Sequence, residues 1–176
     1  CAEAASYAGG IIVNNLNIAD LTGIEAFTLI TNLECGDNQL TSLDVSTNTA
    51  LALLVCYNNQ LTSLDLSANT ALQTLNCADN QITGLNLTSN TLLDYIECRN
   101  NQLTSLTLPV NAAATSIFCG SNLLTSLDLS GTTGLVYLEC QNNQLASLVL
   151  PPNSSNSAIY CYNNQLTNID ITAFTG

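Results

Sequence analysis

The chain has 176 residues with 13 acidic side chains, a single basic one, Arg99, and neither lysine nor histidine, which gives a formal net charge of −12. Nucleic acid is excluded as a partner, because such a charge repels phosphate and no basic stripe exists to release counterions. Without histidine no Ser-His-Asp or Cys-His arrangement is available, and no run of eighteen apolar residues is present to span a membrane. Charged residues make up only 8% of the chain. The surface is therefore mostly Asn, Thr, Ser and Gln, which is unusual for a cytosolic enzyme.

In chain order, Cys1-Ala2-Glu3-Ala4-Ala5-Ser6 is similar to the start of a processed bacterial lipoprotein, so Cys1 is a candidate lipid anchor. The preferred reading is that the stretch was cut from a longer chain, with Ala2 to Ala8 as the remnant of a helical cap. Residues 1–29 hold this remnant and a degenerate first coil, Val13 to Phe27, marked by Leu16, Ile18, Leu21, Ile24 and Phe27. From residue 30 to 176 the chain repeats seven times. Cys35, Cys56, Cys77, Cys98, Cys119, Cys140 and Cys161 stand 21 residues apart without insertion or deletion. Self-similarity at this period is the signature of a solenoid, in which each coil buries its apolar face only against its neighbours. Each unit reads L-x-x-L-x-C-x-x-N-Q-L-T-S-L-D-L-S-x-N-T-A. Its second half alternates, as in Leu64-Asp65-Leu66, which predicts a second short strand and no helix. The last residues, Thr167 to Gly176, stop inside a coil without an evident cap, so the parent protein is expected to continue.

The first eleven positions of the unit resemble the highly conserved segment of leucine-rich repeats, with cysteine in place of a leucine. The whole resembles the short 21-residue bacterial class, in particular internalin-like and BspA-like surface proteins of the Bacteroidetes type. The resemblance implies a mainly β leucine-rich-repeat solenoid, with two short strands per coil and little or no helix. It also implies a non-enzymatic module of adhesion or protein recognition, secreted or at the bacterial cell surface.

Column positions give the expected core. Leu33, Leu54, Leu75, Ile96, Ile117, Leu138 and Ile159 form one inward column, and Leu43, Leu64, Leu85, Leu106, Leu127, Leu148 and Ile169 a second. Asn38, Asn59, Asn80, Asn101, Asn122, Asn143 and Asn164 are expected to satisfy backbone groups at one corner. Asn48, Asn69, Asn90, Asn111 and Asn153, with Thr132 as the departure, do so at the other. Eight coils at the usual strand spacing make a single domain about 35 to 40 Å long. The seven ladder cysteines read as small buried filler. Zinc needs converging ligands at short spacing, and in-register strands point their Cβ vectors the same way, which disfavours disulfides. No metal and no cofactor is expected. The broken column Asp44, Asp65, Asp128 and Asp170 reads as a solvated face, with weak calcium binding as the lesser reading.

Outward positions beside the first-strand leucine are free to vary, and they carry the aromatics. Tyr57, Tyr95, Tyr137, Tyr160 and Tyr162 lie there with Phe118 and Arg99, whereas the second strand carries no aromatic. Tyr and Arg are enriched at interface hot spots, so these seven are the candidate partner-binding residues. Their side chains are expected to point outward, so that replacing them leaves unfolding nearly unchanged. An extracellular protein is the favoured partner. A glycan stacked on the tyrosines, ice on the rows of Thr41 to Thr167 and Ser42 to Ser147, and a passive spacer are the alternatives.

Overall fold

A three-residue strand of the form x-Leu-x turns one side chain inward and two outward, so a coil built on it is held only by stacking. The structure, a computed structural model, describes residues 2–110, 113–152 and 158–170. Cys1, Asn111 and Asn153, each given a role above, lie outside the described residues, as does the end of the last coil.

Strands are numbered along the chain. One parallel sheet of eight strands runs the length of the molecule: β1 (Gly10–Ile12), β2 (Asn32–Glu34), β3 (Leu53–Val55), β4 (Thr74–Asn76), β6 (Tyr95–Glu97), β8 (Ser116–Phe118), β10 (Tyr137–Glu139) and β12 (Ala158–Tyr160). Leu33, Leu54, Leu75, Ile96, Ile117 and Leu138 are in register along it and fully buried. β1 adds the same pattern one coil earlier, pairing Ile11 with Leu33. Among the described residues helix is confined to Ala2–Ser6 and one 3-10 turn, Ile24–Ala26. The molecule is a mainly β parallel solenoid, as the period predicted.

The opposite side differs from expectation. Among the described residues four coils form a second strand, β5 (Gly84–Asn86), β7 (Ser105–Thr107), β9 (Ser126–Asp128) and β11 (Ser147–Val149), and these pair as β5 with β7 and β9 with β11. The stretches around Asp44 and Asp65 are not strands. The strand pairs that form oppose Asn86 to Thr107 and Asp128 to Val149.

Local turn chemistry explains the aspartates. Asp44, Asp65 and Asp128 each accept a hydrogen bond at 2.9 Å from the backbone N–H two residues on, that of Ser46, Ser67 or Ser130, and Asn86 accepts one from Thr88 at 3.1 Å. Pro109 and Pro151 occupy the donor position in two other coils. Proline has no N–H, and in those coils the acceptor position holds Thr107 or Val149 in place of Asp or Asn. The column therefore follows an Asx turn.

The first-strand corner closes with a residue in the left-handed region in every coil: Asp37, Asn58, Asp79, Asn100, Ser121, Asn142 and Asn163, with φ between 50° and 56°. Asn and Asp tolerate this conformation better than other side chains with a Cβ. The next residue is the buried Asn. Asn59 Nδ2 donates to the carbonyls of Cys35, Cys56 and Tyr57 at 3.0 to 3.2 Å, and its Oδ1 accepts from the Leu40 N–H at 2.9 Å. Asn80, Asn101, Asn122 and Asn143 repeat the same bonds. Six ladder thiols are buried and Cys161 is half-buried, all of them free. Burial pushes the thiols of Cys35, Cys77 and Cys140 up to about 12, and moves Cys56, Cys98 and Cys119 in the same direction. Among the described residues no helix is long and apolar enough to cross a membrane, and no group of three or more His, Cys, Asp or Glu is placed to hold a metal.

Candidate functional site

Each long-sheet strand offers two outward side chains and continues past the cysteine to a third, so successive coils lay out a grid. Four adjacent coils read Tyr95-x-Glu97-x-Arg99, Ser116-x-Phe118-x-Gly120, Tyr137-x-Glu139-x-Gln141 and Ala158-x-Tyr160-x-Tyr162. Rings alternate between the first and second columns, so each reaches the next diagonally. Ring centroids lie 5.3 Å apart for Tyr95 and Phe118, 5.3 Å for Phe118 and Tyr137, and 5.7 Å for Tyr137 and Tyr160. The interplanar angles of 36° to 47° make these tilted contacts within the distance range of favourable aromatic pairs. Ser116 and Gly120, the small residues beside Phe118, leave room for the larger neighbours. A Cβ at Gly120 would come within 2.8 Å of Gln141 Nε2.

Four of the seven sequence candidates thus form one continuous ladder. Arg99 lies beside it, its Nη2 3.0 Å from Glu97 Oε2 and its Nη1 3.9 Å from Glu139 Oε2. Tyr162, at 57% exposure, stands in the third column beyond Gln141. Tyr57 is apart from the ladder. Its hydroxyl donates to Asp37 Oδ2 at 2.9 Å, which pushes the phenol's pKa up, and its ring covers Gly36, where a Cβ would meet Cε1 at 2.5 Å.

The expectation that these rings stand free in solvent is corrected. Tyr95, Phe118 and Tyr137 are half-buried because each leans on its neighbour, so they contribute to packing as well as presenting a surface. Burial, followed by the charge of Glu97, raises the Tyr95 phenol, and the neighbouring Tyr160 hydroxyl helps to push Tyr137 up to about 12.

Two glutamates on this face were not among the sequence candidates. Glu97 is only 1% exposed although its position points away from the core. Burial raises its pKa, and Arg99 opposes that shift with its charge and its backbone N–H. Glu139 accepts from the Tyr137 hydroxyl at 3.3 Å and from Gln141 Nε2 at 3.2 Å. Gln141 Oε1 is buried without a partner. The legible signal was the strand spacing of Glu97 and Arg99, two residues apart on one face and opposite in charge.

No family model and no curated protein matches the sequence, whereas solved structures do. The functional domain of InlJ from Listeria monocytogenes, which includes a cysteine ladder, is similar at 29% identity over 97% of this chain and 47% of that one, with a TM-score of 0.59. A leucine-rich-repeat protein of Leptospira interrogans matches at 24% identity over 84% of this chain and 41% of its own, with a TM-score of 0.70. YopM, a leucine-rich effector protein of Yersinia pestis, matches at 24% identity over 83% and 47%, with a TM-score of 0.64. This chain therefore spans less than half the length of each. With its 21-residue period, its buried leucine and asparagine columns and these neighbours, the protein has the leucine-rich-repeat fold of bacterial repeat proteins.

Proposed function

We propose that the protein recognises a protein partner through the outward face of its long sheet, outside the cell or at the bacterial cell surface, without catalysing a reaction. The single observation that carries this reading is the unbroken ladder Tyr95, Phe118, Tyr137 and Tyr160. Rings already locked against one another lose little side-chain freedom on binding, which removes one of the main costs of association. Arg99 and Tyr162 flank the ladder as further contacts, and Tyr57 contributes at most from a distance along the sheet. The likeness to a functional domain of InlJ over nearly the whole of this chain supports the same reading.

The test is a binding screen of the purified chain against a panel of extracellular proteins and a glycan array, run beside the single variants Phe118→Ser and Tyr160→Ser. A protein ligand whose affinity falls at least tenfold in both variants supports the proposal. A sugar ligand with the same dependence would transfer the face to glycan binding. Ligands indifferent to both substitutions would overturn the assignment of this face.

A further inference from the structure

Resting on that reading, we infer that the partner's contact is cationic: a lysine- or arginine-bearing segment whose charged group sits beside Glu139 and over the Phe118, Tyr137 and Tyr160 rings. The face carries Glu34, Asp37, Asp79, Glu97 and Glu139 against one positive side chain, Arg99. That one charge is already engaged. Arg99 lies 3.0 Å from Glu97, whose side chain is 2% exposed and out of a partner's reach, while its approach to Glu139 is 3.9 Å, too long for a hydrogen bond.

Glu139 is the more accessible of the two carboxylates, since Arg99 reaches it only at the outer limit of an ion pair. Its neighbours Tyr137 and Gln141 are neutral donors at 3.3 and 3.2 Å, so they orient the carboxylate without cancelling its charge. An ionised carboxylate has about four lone-pair sites. The side chain keeps 18% of its surface open. It pairs in register with Phe118 on one side and Tyr160 on the other, and Tyr137 lies two residues before it on the same strand. Ring faces attract cations, most strongly where water is partly excluded. A carboxylate set among three such rings provides opposite charge and negative ring faces in one place. The net charge of −12 draws the same class of partner from a distance and repels phosphorylated or sulfated ones.

The experiment uses fluorescence anisotropy with a labelled peptide of four Gly-Lys-Ser repeats, and one in which glutamate replaces each lysine, at about 50 and 150 mM salt, where screening lengths differ. Proteins are the intact chain, Glu139→Gln, Phe118→Ser, and Asp65→Asn as a carboxylate on the opposite side. Glu139→Gln keeps an oxygen for one of its two donors, the Tyr137 hydroxyl or Gln141 Nε2, and an unchanged urea midpoint checks that the face stays folded. The lysine peptide is expected to bind the intact chain, to lose at least tenfold in affinity with Glu139→Gln and with Phe118→Ser, and to change less than twofold with Asp65→Asn. The inference is overturned by equal losses with Asp65→Asn and Glu139→Gln, which would mean diffuse charge attraction. It is also overturned by equal binding of the glutamate peptide, or by no lysine-peptide binding at the lower salt. If ligands from the screen above need Phe118 but ignore Glu139→Gln, the face stands as a binding surface and only its cationic preference fails. If they ignore Phe118 as well, both fail.

Discussion

The two corners of each coil both use a buried asparagine, yet they use it differently. At the long-sheet corner Asn80 spends its whole side chain: Nδ2 donates to the carbonyls of Cys56, Cys77 and Ala78, and Oδ1 accepts from the Leu61 N–H. At the other corner Asn69 Nδ2 donates to Val45 and Asn48, while its Oδ1 is buried with no partner, as are those of Asn48 and Asn90. One corner is stitched to the preceding coil through both the nitrogen and the oxygen of its amide and carries an unbroken sheet. The other is stitched to the preceding coil through the nitrogen alone, carries a broken sheet, and tolerates Thr132 in place of the asparagine. Continuity of the sheet follows the completeness of the corner, and the candidate binding ladder lies on the continuous side.

The largest expected effect comes from removing the complete corner. Asn80→Ala leaves several buried backbone groups without partners and should cost about 3 to 5 kcal/mol in urea unfolding, against about 2 for Asn69→Ala. Equal losses would remove the contrast between the corners. Next, Cys98→Ser puts a hydroxyl into a tight apolar column on the continuous side and should cost about 1 to 3 kcal/mol; an unchanged midpoint would mean that the column is looser than its burial indicates. Phe118→Ser breaks two ring contacts and should cost about 1 to 2 kcal/mol, measurable by the same titration.

Acid separates the two sides more subtly. Burial raises the folded pKa of Glu97, so the native state takes up its proton more readily than the unfolded chain. Relative to Glu97→Gln, the protein should gain stability as pH falls from 7 through that raised value, the gain being complete below the unfolded value of about 4.3. On the opposite side, the N–H bonds from Ser46 and Ser67 lower the pKa of Asp44 and Asp65. Their contribution is present above about pH 3.9 and is lost as pH drops through the lowered folded values. Unfolding midpoints from pH 7 to 2 should show the gain first and the loss later. The smallest effect is local. Thr107→Asp alone should change nothing, because Pro109 offers no N–H, whereas Thr107→Asp with Pro109→Ser should show a favourable coupling in a double-mutant cycle.

Much of this was legible in the sequence because a fixed period leaves a column no freedom. Leu75, Cys77 and Asn80 each recur where only one kind of side chain fits, so their burial could be assigned from spacing alone. The breaks in the second strand were not legible from Leu64-Asp65-Leu66, since alternation describes one coil while pairing is made between neighbouring coils. Glu97 escaped for another reason: its outward position implies exposure, yet it is buried and paired with Arg99. The aspartate column lies on the solvated face expected of it, but why it breaks at Thr107 and Val149 was not read. Its explanation stood in the same sequence, two residues further on, as Pro109 and Pro151.

The thiol column has a consequence for reversibility. In the fold, burial holds Cys35, Cys77 and Cys140 at about 12, so almost none of their population is thiolate at neutral pH. An unfolded thiol titrates near 8.5 and is open to oxidants. Coils released from the stack would then be joined through sulfurs whose Cβ vectors run side by side in the native column, a geometry that resists bridging. Heating and cooling under reductant should return the native molecule, while the same cycle in air should trap misjoined chains. For this solenoid, survival in an oxidising medium is then set by how seldom its coils part, a rate instead of an equilibrium.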